Sequence, residues 1–383
     1  MKDYDVLIIG GGPAGSTLAS CLLNTSADER QLKVAILDKS DFPRQKVCAG
    51  WVTPEVMRLL NVDLEDYADG RVLQKISGFR ISQLGQKQVE SSFDGAPVSY
   101  GIRRFEFDDY LLKRSGAELI LGEAVQKMDK LDDGWLVNGK YRAKLIVGAG
   151  GHYCPVARAI GSKGVSERAV VAQEIEFEMN AQQKAGCNID EKVPELVFTP
   201  DLAGYGWVFR KGDYLNIGLG REDKSKLSSH VKAFRYYLVE HDKIPTDIAD
   251  KFNGHAYLLY NHALRKMVDD HVLLIGDSAG LAYPQSGEGI RPAVESAILA
   301  ADVITACSGD YSQQKLQAYN DQLQHRFGDR ESGPDLIERL PMPLKIIFAS
   351  QLLKTHWFTK NVVVKKWFLQ SHQKPLPAIK SAQ

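Results

Sequence analysis

The chain has 383 residues, and its 48 Lys and Arg balance 48 Asp and Glu to a formal net charge of zero. That length supports two or three domains around a sizeable core. The balance supplies no field for nucleic acid, so no nucleic-acid partner is expected.

The five cysteines, Cys21, Cys48, Cys154, Cys187 and Cys307, are odd in number, widely spaced and form no CxxC pair. This describes neither a disulfide framework nor a zinc site, and it predicts a cytoplasmic protein without a metal.

The chain opens on "YDVLIIGGGPAGSTLASCLL". Val6–Ile9 is a continuous apolar run, as expected of a strand buried on both faces. It is too short for a signal peptide and is broken by Gly10–Gly15, and no run of about 18 apolar residues occurs anywhere. Gly10, Gly12 and Gly15 give G-x-G-x-x-G between that strand and a helix, a spacing that permits a tight turn and close approach of backbone to a pyrophosphate. The helix that follows would aim its free N–H groups at the phosphates. A second strand, "KVAILD", ends at Asp38, where a carboxylate can accept hydrogen bonds from a ribose hydroxyl. The segment "NTSADERQ" between them reads as a loop extension. The pattern predicts a dinucleotide cofactor.

Further along, Val170–Met179 alternates as a strand, and "PELVFTP", "YGWVFRKGDYLNIGLG" and "HAYLLY" add short strands. Lys211-Gly212-Asp213 reads as a hairpin turn. "HVLLIG" is a buried strand leading into two Gly-rich turns, with Asp277 in the first and Glu288 in the second, and then an Ala-rich helix. Arg291 at the start of that helix runs against the macrodipole. It points to an anion nearby or to pairing with Glu288 or Glu295. From Pro341 onward there are seven Lys, two Trp and no Asp or Glu. The segment reads as a helix pair packed on the body or as a basic amphipathic face for peripheral contact with a membrane.

"DSAGLAYPQSGEGIRPAVESAILAA" resembles the second FAD motif of the flavoprotein group that includes para-hydroxybenzoate hydroxylase, geranylgeranyl reductases and flavin-dependent halogenases. Asp277 and Gly287–Ile290 match its FAD-contacting positions. "IRRFEFDDYLL" resembles the group's R-x-x-F-D-x-x-L, which places Arg104 near FAD. "AKLIVGAGGHYCPVAR" resembles its G-A-D-G-x-x-S-x-V-R, with Gly150 in place of Asp and Cys154 in place of Ser.

Within the group, "PRQKVCAGWVTPEV" is similar to the P-x-K-x-C-x-G segment of the geranylgeranyl reductase family, matched at Lys46, Cys48 and Gly50. "GYGWVFRKGDYLNIGLG" is similar to its Y-x-W-x-F-P-K segment, matched at Tyr205, Trp207 and Phe209, with Arg210 for Pro. The W-x-W-x-I-P signature of the halogenases is missing.

The resemblance implies an α/β fold in which a Rossmann-like FAD-binding domain (1–75, 102–165 and 265–330) is interleaved with an antiparallel β-sheet substrate domain (76–101 and 166–264), plus C-terminal helices (331–383). It implies that Gly10, Gly12, Ala14, Gly15, Asp38, Lys39, Cys48, Ala49, Gly50, Arg104, Gly276, Asp277, Gly287, Gly289 and Ile290 bind FAD. Cys48, Trp207 and Glu288 are the catalytic candidates. For Cys48 the alternative is a buried small hydrophobe. For Trp207 it is a residue filling the space between layers. For Glu288 it is a carboxylate complementing a helix N-terminus.

The implied reaction is saturation of C=C bonds in an isoprenoid or other lipid-like substrate by reduced FAD. Without a second G-x-G-x-x-G, the reductant is NAD(P)H bound transiently or an electron-donor protein. Two other readings stay open: an FAD-dependent monooxygenase, and a non-catalytic prenyl-binding escort of the Rab GDP-dissociation inhibitor kind. The intact glycines, Asp38 and Asp277 argue against the escort.

Overall fold

A computed structural model describes residues 1–24, 32–162, 167, 169–223, 226–249, 251–262, 265–330 and 341–379. Most of the expected loop extension after Asn24, and Lys380 of the basic tail, lie outside the described residues.

Four parallel strands form the centre of the first sheet: Val34–Leu37, Lys2–Ile9, Tyr141–Gly148 and Val272–Leu274, with Glu118–Ile120 parallel at one edge. Val6, Leu7 and Ile8 are fully buried, as their unbroken apolar run predicts. The reason is the pair of helices on one face: Pro13–Asn24 packs against Ile290–Ala306, whose Ala-rich surface lets the two backbones approach closely. Register places Leu37, Ile9, Gly148 and Leu274 level with one another. The four strands therefore end at one edge, where ligands of open parallel sheets bind.

The second sheet has seven strands in the order Asn253–Leu258, Ala169–Glu178, Tyr214–Arg221, Gly204–Lys211, Glu195–Phe198, Gly78–Gln83 and Val89–Ser92. The expected hairpin forms with Lys211 opposite Tyr214 and Gly212 at φ +58°. The sheet is not wholly antiparallel, because Glu195–Phe198 runs parallel to Gly78–Gln83. Parallel neighbours need a long crossover, and the chain supplies one by leaving for the first sheet between them.

A small third sheet pairs Ser99–Ile102 with both Trp51–Val52 and Leu73–Ile76. It bridges the two larger layers across the positions where the resemblance divides them.

The C-terminal segment packs on the body. Leu353, Val363, Val364 and Phe368 share a buried cluster with Trp51, Phe79, Trp207 and Phe209. Among the described residues, no helix is long and apolar enough to cross a membrane.

Gly15, packed on Gly10, which has φ +118°, leaves the least room for a Cβ among the described residues. A Cβ on Gly15 would run into the Gly10 carbonyl oxygen, while one on Gly254 would meet nothing closer than 4.0 Å. Gly15→Val is expected to lower the thermal midpoint, by overpacking worth about 1–3 kcal/mol, and to give protein without flavin absorbance. Gly254→Ala is expected to leave both unchanged. Thermal scans and visible spectra of the two variants check this.

Candidate active site

A cavity of about 600 Å³ opens where the strand ends of the parallel sheet meet the inner face of the second sheet. Gly10, Gly12 and Ala14 form its floor beside the N-terminus of Pro13–Asn24. A Cβ on Gly12 would meet only Arg44, at 3.5 Å, so bare backbone faces the opening. The Asp38 carboxylate stands beside this turn. It accepts hydrogen bonds from the Gly11 amide at 2.7 Å and the Ser40 amide at 2.9 Å. It thus braces the glycine turn and keeps lone pairs for a hydroxyl. Lys39, Asp277, Gly287, Gly289 and Ile290 line the same space.

Three predicted residues do not line it: Gly15, Gly50 and Gly276. Each lies one layer back. Gly15 packs on the Gly10 carbonyl, Gly50 on the Ile102 carbonyl, and Gly276 on Ala14 and Ala293.

The loop carrying Lys46 and Cys48 forms a second wall. Arg104 is buried and grips Asp108 through two bonds of 2.6 and 2.7 Å. Burial opposes its charge, but Asp108 and the neighbouring Cys48 sulfur hold the guanidinium pKa above its usual value. The cation at Cys48 is therefore Arg104. Lys46 does not bond the thiol; its Nζ sits 2.8 Å from Nε2 of His255. Burial first, then Arg104, pushes Lys46 down to about 8. Burial and Lys46 push His255 down to about 3, so its ring is neutral. With Arg44, these groups give this end of the cavity a positive lining.

The Cys48 backbone is tied to the second sheet through buried polar side chains. Its amide donates to the Glu174 carboxylate, and its carbonyl accepts from Asn216 Nδ2 at 3.1 Å. Asn216 Nδ2 also bonds Glu174 at 3.0 Å and Glu176 at 3.1 Å, while its Oδ1 accepts from Trp207 Nε1 at 2.8 Å. One fully buried amide thus joins two catalytic candidates. Burial pushes Glu174 up to about 8. Burial pushes Glu176 the same way, but the buried Lys211 ammonium, 2.7 Å away, outweighs it and holds that carboxyl below its usual range. The pair therefore carries one charge at neutral pH.

Glu288 precedes the helix Ile290–Ala306. Its Oε1 accepts from the Arg291 amide at 3.3 Å, and its Oε2 is buried without a partner at the cavity wall. Burial pushes it up to about 8, outweighing Arg291. The anion beside Arg291 is Glu295, 2.8 Å away, which also binds Arg326.

The far end of the cavity is aromatic. Trp51, Phe368, Tyr205 and Trp207 follow one another at ring-centroid separations of 5.7, 5.6 and 6.1 Å. Backbone-lined floor, helix N-terminus, carboxylate at a strand end and positive wall together fit FAD. Among the described residues, no group of three His, Cys, Asp or Glu is placed to hold a metal ion.

His255, Asn216, Glu174 and Phe368 were not found from sequence. Three carboxylates at alternate positions on one side of the strand Ala169–Glu178, Glu174, Glu176 and Glu178, were the available signal, since a covered strand face that carries Glu demands buried partners.

No family model matches the chain. It is 28% identical over 350 residues to digeranylgeranylglycerophospholipid reductase 3 of Methanosphaera stadtmanae, covering 86% of this chain and 85% of that protein. Its fold is similar to a geranylgeranyl bacteriochlorophyll reductase-like protein of Thermoplasma acidophilum, with TM-score 0.77 and 21% identity over 99% of this chain and 98% of the other. The flavin-dependent brominase Bmp2 shares the fold at TM-score 0.68 and 17% identity, covering 96% of this chain and 93% of that one.

Asn216→Leu would leave the Trp207 indole N–H and the Cys48 carbonyl unpaired. It is expected to cost about 2–6 kcal/mol, at about 1–3 kcal/mol per orphaned group, read from urea midpoints, and to shift tryptophan emission.

Glu288→Gln tests the buried carboxyl. An unfolded glutamate titrates near about 4.3. Between there and about 8 the folded protein holds a proton that the unfolded chain has lost, so stability falls as pH rises. The variant loses this slope, and its stability relative to the parent should rise by up to about 1.4 kcal/mol per pH unit across that window. Urea titrations of both proteins at each end of the window measure it.

Proposed function

We propose, from the premise that the chain belongs to the geranylgeranyl reductase family of FAD-dependent oxidoreductases, that it saturates C=C bonds of an isoprenoid or other lipid-like substrate. The observation that carries this reading is the division of one cavity into a polar, backbone-lined end and an aromatic end, with Cys48 among the residues that line it.

On this reading the bodies 1–75, 102–165 and 265–330 hold FAD, and 76–101 with 166–264 cover it. Gly10, Gly12, Ala14 and the first helix receive the phosphates, and Asp38 and Lys39 the ribose region. Arg104, Lys46, Asp277 and Gly287–Ile290 flank the remainder, with Ala49 and Gly50 shaping the loop. NAD(P)H or an electron-donor protein supplies the electrons.

Held at this site in its reduced form, FAD would supply the hydride equivalent for one alkene carbon. The chain must then deliver a proton to the other carbon and keep water out. On this reading the Cys48 thiol, with the Arg104 guanidinium beside its sulfur, gives that proton and regains it from solvent. Glu288, neutral at pH 7, is a second proton-bearing group facing the cavity. Trp207, with its N–H committed to Asn216, presents ring carbon to an apolar chain. The same reading includes contact of the C-terminal segment with a membrane, from which such a substrate is drawn.

Anaerobic mixing of photoreduced protein with a dispersed prenyl lipid is the test. Flavin reoxidation coupled to a saturated product is expected. Reoxidation only by oxygen, coupled to a hydroxylated product, overturns the reading. Cys48→Ala is expected to lower turnover by about 10²–10⁴-fold, the span of general acid catalysis, with flavin content retained. Unchanged turnover and product pattern would remove Cys48 from the chemistry.

A further inference from the structure

The helix Met342–Leu352 is mostly apolar, with Lys345, Ser350 and Gln351 its polar members, and none of residues 343–352 is buried. Leu344, Ile347 and Phe348 are 53, 59 and 54% exposed, and their spacing puts them on one face. Trp357, on the next helical turn, is 69% exposed. A large apolar helix face left in water signals a missing partner.

We propose that this face, with Trp357 and the exposed lysines of the same segment, docks on the surface of an anionic lipid bilayer. Charge selects that occupant. Lys354, Lys365, Lys366 and Lys374 are exposed, and residues 341–379 contain no Asp or Glu. A basic, Trp-bearing apolar face is attracted by anionic headgroups and inserts its large side chains at the acyl boundary. A two-fold contact with a second copy would bring the same patch, lysines included, against itself.

The location gives the contact a purpose, and here the inference rests on the reading of a lipid-like substrate. Leu353, Val363, Val364 and Phe368 of this same segment pack against Trp51, Trp207 and Phe209, and Phe368 lines the cavity. The bilayer-facing side and the cavity-facing side are thus two sides of one short stretch of chain. An apolar substrate would pass from membrane to cavity alongside it.

Flotation of the flavin-loaded protein with phosphatidylcholine vesicles, with and without phosphatidylglycerol, tests this. Flotation with the phosphatidylglycerol vesicles, released by high salt, is expected. Combined Ile347→Ser, Phe348→Ser and Trp357→Ser should weaken it about tenfold or more. Lys365→Gln with Lys366→Gln should weaken it about fivefold per charge removed. Flavin absorbance and turnover of detergent-dispersed substrate should hold in both variants.

Absence of flotation, equal flotation on neutral vesicles, or a concentration-dependent dimer abolished by the triple variant would overturn the proposal. Flotation requires no turnover. A protein that floats but reduces no prenyl lipid defeats the substrate reading and leaves this face standing, while one that reduces the lipid without floating does the reverse.

Discussion

The side-chain amide of Asn216 is the joint between the two layers of this protein. It lies on the second sheet and holds the backbone of a loop that belongs to the first. Cys48, Glu174, Glu176 and Trp207 all meet at it. Buried polar atoms tolerate little displacement, because every partner lost is a group stranded away from water. The position of Cys48 is therefore set by the covering sheet as firmly as by its own loop. Lys211 completes the joint from below, neutralising Glu176 and holding the Ile102 carbonyl at 2.9 Å.

Around that joint the cavity sorts by polarity. Backbone amides, Asp38, Arg104 and Lys46 make one end suited to phosphates and a polar ring system. Trp51, Tyr205, Trp207 and Phe368 make the other suited to a hydrocarbon. The polar end comes from the strand ends of the parallel sheet, where backbone is exposed by geometry. The apolar end comes from the inner face of the second sheet and from a tail segment, where side chains are stacked for packing. Two architectural layers therefore become two chemical environments within one space.

Much of this was legible in the chain. Gly10, Gly12, Gly15 and Asp38 could be read because turn, helix and carboxylate requirements act within a few dozen residues. The strands, the Gly212 hairpin and the Ala-rich helix could be read because their periodicities are local. What stayed hidden was whatever depends on residues far apart meeting. Lys46 lies beside Cys48 in sequence, yet its ammonium goes to His255, and Arg104 takes the place next to the sulfur. For Arg291 the sequence left open a nearby anion, Glu288 or Glu295, and only the fold selects Glu295, one helical turn away. Asn216 has no local signature at all, because its importance comes from four partners drawn from three separate stretches of chain.

The parallel pairing of Gly78–Gln83 with Glu195–Phe198 has a consequence for how the molecule is made. A strand that waits for a partner on the far side of 84–194 gains its place only after that intervening chain has been laid down. Pairings of such long separation are slow, because loop closure must precede any gain from contact. As the chain emerges during synthesis, the parallel core can start to assemble while the roof is still incomplete. Yet every strand of the second sheet, through Asn253–Leu258, is laid down before Val272–Leu274 and the helix Ile290–Ala306, so the cavity gains its last wall only after the strands of its roof exist.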